Sequence, residues 1–268
     1  MFDYSGRNVF VAGGTSGINL GVAQAFAAAG ANVFVISRSP EKVAAAVEQL
    51  QASGAKAAGM SADVRDAEAL KVAISTAHGT FGDIDVLVSG AAGNFPARAN
   101  DISSNGFRAV LEIDLLGTHH VMTAAWPVLR KPGASVINIS APQAMVAMTG
   151  QAHVCAAKAG VDMMTRTLAL EWGPEGVRVN SVIPGPIDGT EGMRRLAPTP
   201  QALDAIRHSV PLKRIGTPAN VANLCLFLGS DFASYVSGAV VPVDGGWVLN
   251  MQGTVLDPVL DHIAASRR

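Results

Sequence analysis

Tyrosine is almost missing from this chain: among 268 residues only Tyr4 and Tyr235 occur, and aromatics together make 5%. Any chemistry that needs a phenol in mid-chain is excluded by inventory. Cysteine is as scarce. Cys155 and Cys225 stand too far apart for a disulfide framework or a metal-ligand spacing, so two packing thiols in a reducing cytoplasm are expected and no metal is assigned. Charge of one sign is lacking too, with a formal net charge of −1, 15% charged residues and no basic block. Such a surface offers no electrostatic footprint for nucleic acid or an anionic membrane. No apolar run approaches the roughly 20 residues of a membrane span, and the opening MFDYSGRNVF has no signal-peptide core. A cytoplasmic protein acting on a small molecule is the expectation.

What the chain does contain is hydrophobic residues, 49%, and 28 glycines. Short β-branched runs at 9–12, 32–36, 55–61, 86–89, 136–139, 177–183 and 239–243 alternate with alanine-rich helical stretches. The runs are continuously apolar, as strands buried on both faces of a parallel sheet must be. Seven such strands with crossover helices predict a single doubly wound α/β domain of Rossmann type over 1–268. Pro and Gly in IPGPIDGTEG (183–192) follow a strand, and weak helical patterning continues to 217. Residues 187–217 are expected to form a lid over the carboxyl ends of the strands, where open α/β sheets bind ligands.

NVFVAGGTSGINLG runs from the first strand through Gly13, Gly14 and Gly17 into a helix beginning near Ile18. A backbone that turns sharply and approaches a pyrophosphate needs glycine, and the following helix N-terminus supplies free N–H groups. One position departs from the usual pattern: Asn19 stands where a third glycine is expected, so helix and strand are expected to sit slightly farther apart. The second strand ends in Ile36-Ser37-Arg38, with no acid to accept from a ribose 2′-hydroxyl. Arginine there suits a 2′-phosphate, with Ser16 and Ser37 as hydroxyl donors, so NADP(H) is the expected cofactor. Asp63 either accepts from the adenine amino group or caps the next helix.

With GGTSGI (13–18), ADV (62–64), SGAAG (89–93), AAKAGV (156–161), VRVNSVIPGPI (177–187) and YVSGAVVPVDGG (235–246) in view, the chain resembles the short-chain dehydrogenase/reductase family over nearly its whole length. SGAAG stands in place of that family's Asn-Asn-Ala-Gly. The resemblance implies cofactor contacts at Gly13, Thr15, Ser16, Gly17, Ile18, Ser37, Arg38, Asp63, Val64, Gly90, Ala91, Lys158, Pro184, Gly185 and Ile187, and a homotetramer. Most members protonate an alkoxide with a tyrosine four residues before the lysine. Aligning on Lys158 puts Val154 there, and Ala141 where a serine holds the carbonyl. An ordinary ketone reductase is therefore disfavoured.

Within the family, AAGNF (91–95) and EWGPEGVRVNSVIPGPIDGTEGMRRL (171–196) look like the 2,4-dienoyl-CoA reductases, especially the peroxisomal type. Conjugate reduction spreads charge onto a thioester oxygen and ends in protonation at carbon, so a phenol beside the hydride acceptor is unnecessary. In the mitochondrial type a displaced tyrosine matches Gln143 here; the peroxisomal type, by resemblance, pairs an aspartate with the lysine. That aspartate is Asp114, in the largely apolar LEIDLLG, where a buried carboxylate requires a partner such as Lys158. Asp114 and Lys158 are the candidate catalytic pair. Asn94, Phe95, Ala141, Gln143, His153, Val154, Arg194 and Arg195 are the candidate contacts to an acyl-CoA-like substrate. His119 and His120 point apart and form no metal pair, while Met163, Met164 and Leu168 are expected in the core or a subunit interface. Two other readings remain open: a carbonyl reductase with an atypical acid such as His153, and a catalytically silent NADP(H)-binding protein.

Overall fold

The β-branched runs pair in register as parallel strands, and their alternate residues point to opposite faces of one sheet. The computed structural model describes residues 2–250, so the ends of the expected 1–268 domain lie outside the described residues. The strands are β1 (Asn8–Ala12), β2 (Asn32–Ser37), β3 (Ala57–Ser61), β4 (Val86–Ser89), β5 (Ser135–Ile139), β6 (Arg178–Pro184) and β7 (Val240–Val243). Their order is β3-β2-β1-β4-β5-β6-β7, all parallel. The expected runs fall within two residues of these bounds. The largest difference is β3, because Ala55 and Lys56, between the Ser53–Gly54 turn and the strand, are not part of the paired ladder.

Val9, Val11, Val33, Val35, Val86 and Val88 face one side, where α1 (Gly17–Ala28) and α9 (Pro218–Gly229) cover them. Phe10, Phe34, Leu87, Val136 and Val179 face the other, under α3 (Ala67–Phe81), α5 (Gly117–Ala125) and α6 (Ala152–Trp172). The remaining helices are α2 (Pro40–Ala52), α4 (Ser104–Leu111), α7 (Glu191–Leu196), α8 (Pro200–Ser209) and α10 (Trp247–Asn250). Between α4 and α5 the chain widens into a π-helical turn over Glu112–Leu116. Strand order reverses between β1 and β4, so their carboxyl ends part and leave the crevice that an open α/β sheet uses for ligands. The segment expected as a lid carries α7 and α8 beside that crevice.

Candidate active site

A cavity of about 900 Å³ opens at the carboxyl ends of the strands. Its floor is the turn between β1 and α1, where Gly13 (φ +76°) and Gly17 (φ +54°) are left-handed. A Cβ on Gly13 would stand 3.0 Å from the Ala91 backbone, and one on Gly14 would stand 2.9 Å from Val35 Cγ1. Glycine is therefore required both by backbone angle and by close packing. Ser16 precedes α1 without capping it by its side chain, leaving the helix's first N–H groups to face the cavity. A phosphate fits such a cradle.

At the far end Ser37, Arg38, Ser39 and Lys42 line the same cavity. Two cations and two hydroxyls with no acid in the strand end make a surface for a dianionic phosphate. Across from them Arg65 grips Asp63 at 2.6 Å and holds its carboxyl below the usual carboxylate range. Asp63 does not cap α3. Asp66 does, accepting from the Glu68 and Ala69 backbone N–H groups. The Val64 carbonyl lies 3.0 Å from His120 Nδ1, so His120 does more than pack; His119 is exposed.

The chemical centre lies where the π-helical turn meets α6. A π-turn adds a residue and re-aims the side chains it carries, and here it points Asp114 inward. Lys158 Nζ lies 3.4 Å from Asp114 Oδ2, and both side chains are buried. Asp114 Oδ1 accepts from the Gly93 backbone N–H at 2.6 Å, and its carbonyl accepts from Thr118 Oγ1 at 2.7 Å. Lys158 donates to the Ile139 carbonyl at 3.1 Å. Oδ1 thus has a hydrogen-bond donor, whereas Oδ2 is buried without one and faces the Lys158 ammonium only as an ion pair. Lys158 has three N–H donors, of which the Ile139 carbonyl takes one, and it lines the cavity together with Asp114. One helical turn on, Asp162 is buried and accepts from Ser181 Oγ at 2.7 Å; desolvation raises its pKa.

Around this pair Ala141 and Val154 occupy the positions of the absent serine and tyrosine, and Gln143, Gln151, Ser140 and Asn94 supply polar groups. Gln143 Nε2 approaches Gln151 Oε1 at 3.4 Å, while Gln143 Oε1 is buried and unpartnered. Two expected substrate contacts are placed elsewhere. Phe95 and His153 do not line the cavity; their rings meet at 4.5 Å, and Phe95 also packs on Val110, Val154 and Ala157. Two residues beyond Gly93, Phe95 turns into the small cluster under α4 and α6, and the His153 ring beside it turns away from the opening. Arg194 and Arg195 do line the mouth, but Glu191 pairs with both, and Arg195 Nη1 also donates to the Asn94 carbonyl at 2.5 Å.

Pro184, Gly185 and Ile187 close the side next to β6. A Cβ on Gly185 would come within 2.6 Å of Asp244. Asn19 departs from the expected effect of a missing glycine. Its buried amide donates 2.7 Å to the Gly90 carbonyl, so it fills a gap towards β4 rather than widening one towards β1. Residues missed by sequence reasoning are Gly93, Thr118, Lys42, Ser39 and Gln151. Lys42 carried a readable signal, lying one helical turn beyond Arg38 at the start of α2; a backbone donor such as Gly93 carried none.

A family model described as Enoyl-(Acyl carrier protein) reductase matches residues 12–248. The peroxisomal 2,4-dienoyl-CoA reductase of Rattus norvegicus, (3E)-enoyl-CoA-producing, is 43% identical over 240 residues, 88% of this chain and 82% of its own. A Bacillus subtilis protein named "Probable 2,4-dienoyl-CoA reductase", (2E)-enoyl-CoA-producing, is 39% identical over 91% of this chain and 97% of its own. Among solved structures, a short chain dehydrogenase from Bacillus anthracis superposes with a TM-score of 0.83 at 37% identity, covering 90% of this chain and 96% of that one. A short-chain type dehydrogenase/reductase from Mycobacterium ulcerans gives 0.88 at 31% identity, covering 92% of each. Fold, glycine turn and likeness converge: the chain is an oxidoreductase and belongs to the short-chain dehydrogenase/reductase family.

Proposed function

We propose that this protein is an NADPH-dependent 2,4-dienoyl-CoA reductase. The observation that carries the reading is the buried Lys158–Asp114 pair at 3.4 Å beside a cavity in which Ala141 and Val154 offer no hydroxyl. When bound, the nicotinamide cofactor supplies a hydride for C5 of the dienoyl thioester. Lys158 holds the nicotinamide ribose through an N–H that the Ile139 carbonyl leaves free and keeps a positive charge where enolate charge develops. The Gly93 N–H fixes the Asp114 carboxylate, so the carboxylate and ammonium together orient the water that delivers a proton to the α-carbon. Protonation there yields a 3-enoyl thioester, the product named for the rat relative. Ala141 and Val154 leave room for a flat conjugated chain. Arg38 and Lys42 take the 2′-phosphate, and Arg195 at the mouth meets the anionic carrier.

The carbonyl-reductase alternative loses its acid, because His153 sits behind Phe95 and away from the cavity. Assembly as a homotetramer in a reducing cytoplasm belongs to the same proposal. Met163 and Leu170 on α6 and Phe232 and Tyr235 beyond α9 are large apolar side chains left exposed, as subunit interfaces would use. Among the described residues no helix is long and apolar enough to cross a membrane. The deciding experiment is NADPH oxidation against a panel of dienoyl-, enoyl- and ketoacyl-CoA esters. Turnover confined to the dienoyl esters is expected; turnover of ketoacyl esters alone, or cofactor binding with no turnover, overturns the reading.

A further inference from the structure

Gly90 is a glycine without a conformational reason. Its φ is not positive, so an L side chain fits its backbone angles. What forbids one is Asn19. A Cβ built on Gly90 has as its three nearest neighbours Asn19 Oδ1 at 2.2 Å, Nδ2 at 2.5 Å and Cγ at 2.6 Å. The same amide lies 3.2 Å from where a Gly13 Cβ would stand, and it donates to the Gly90 carbonyl at 2.7 Å. Gly90 N–H in turn donates to the Ala12 carbonyl at 3.2 Å. The Asn19 side chain is thus wedged among the glycine turn, the start of α1 and the end of β4, and Gly13, Asn19, Gly90 and Ala91 all line the cofactor cavity.

We propose that Asn19 is a cofactor-positioning residue that sets the distance between the glycine turn and the end of β4, and that positions 19 and 90 form one exchangeable unit holding a single amide. The inference rests on the reading of this cavity as the nicotinamide cofactor site. The amide acts through the backbone: by pinning the Gly90 carbonyl it fixes the Gly90–Ala91 peptide against Gly13, so both walls are in place before the cofactor enters. Pre-organisation of this kind lowers the ordering cost of binding. The two departures from the family's motifs noted above, asparagine for glycine at 19 and glycine for asparagine at 90, are then one substitution rather than two. An amide reaching from either side fills the same space, whereas two collide and none leaves a gap.

The test is a double-mutant cycle on the full chain, with thermal unfolding measured without cofactor and NADPH affinity measured by fluorescence well below the melting point. Asn19→Gly is expected to raise the NADPH Kd roughly five- to tenfold, the scale of one buried hydrogen bond, with the KM for dienoyl-CoA unchanged. Gly90→Ala in the wild-type background is expected to lower Tm sharply, and the same change in the Asn19→Gly background to be tolerated. The exchange Asn19→Gly with Gly90→Asn is expected to recover both Tm and Kd to within about twofold, a coupling far from additivity. Additive effects in the cycle, or an unchanged Kd in Asn19→Gly, overturn the proposal. If wild type itself binds neither NADPH nor NADH, the cofactor reading fails and with it the positioning role, while the unfolding cycle still decides whether one amide serves both positions.

Discussion

Lys158 Nζ lies 3.4 Å from Asp114 Oδ2, with side-chain exposures of 5% and 1%. A pair this deep gains from mutual attraction only while both members remain, because removing one leaves an uncompensated buried charge. The members are nevertheless unequal in role, since Lys158 also reaches the Ile139 carbonyl and Asp114 is held by Gly93.

Asp114→Ala is expected to leave NADPH affinity nearly intact and to lower kcat by roughly 10²–10⁴-fold, the range for loss of a general acid. Lys158→Ala is expected to weaken cofactor binding as well. Dienoyl-CoA turnover with cofactor binding measured separately distinguishes them, and full activity in Asp114→Ala would sink the mechanism. Because either change strands a buried charge, folding of each variant is checked by its melting temperature.

Cofactor preference follows from the end of β2. NADPH is expected to bind more tightly than NADH, and Arg38→Asp to reverse the order, since a carboxylate repels the 2′-phosphate and accepts from a free 2′-hydroxyl. Lys42→Ala is expected to weaken NADPH less, acting as a point charge rather than a planar fork. Equal affinity of wild type for the two cofactors removes the argument.

At the mouth of the cavity the two arginines separate. Glu191 pairs with both, but only Arg195 also reaches the Asn94 carbonyl. Arg195→Ala is therefore expected to raise the KM for acyl-CoA several-fold at low salt, more than Arg194→Ala, with the difference shrinking as salt screens the carrier. An unchanged KM in the double variant at low salt assigns both to a solvated helix face.

The parallel sheet was legible because its strands are apolar on both faces, and the glycine turn because its residue types answer to a backbone requirement. Asp114 and Lys158 were paired by the family resemblance, with which a carboxylate in the apolar LEIDLLG needing a partner agrees. His153 was expected at the site because it adjoins the vacant tyrosine position, and Phe95 because of the AAGNF resemblance; neither says which way a side chain turns, and here the two rings turn towards each other. Gly93 was invisible for a different reason: its contribution is a backbone N–H, which every residue but proline carries. Asn19 was visible as a departure, yet its partner across the fold is set by tertiary packing.

Restoring the family's usual hydroxyls at 141 and 154 tests whether their absence is adaptation or loss. Val154 is buried against Val110 and Ala157, with Phe95 and Leu111 beside it, and also lines the cavity. A tyrosine there must push into that cluster or extend into the acyl space. Overpacking of a filled site costs about 1–3 kcal/mol, so Ala141→Ser with Val154→Tyr is expected to melt several degrees lower than wild type. Dienoyl-CoA turnover is expected to fall, with KM rising more than kcat drops, because the phenol blocks the chain and faces no alkoxide to protonate. The steric part is separable. Val154→Phe brings nearly the same bulk without the hydroxyl and is expected to lose dienoyl activity to a similar extent. A gain in dienoyl turnover specific to the Ser/Tyr variant, absent from Val154→Phe, would mean that a phenol at this position can serve as the acid. The chain would then read as a ketone reductase that had lost its proton donor.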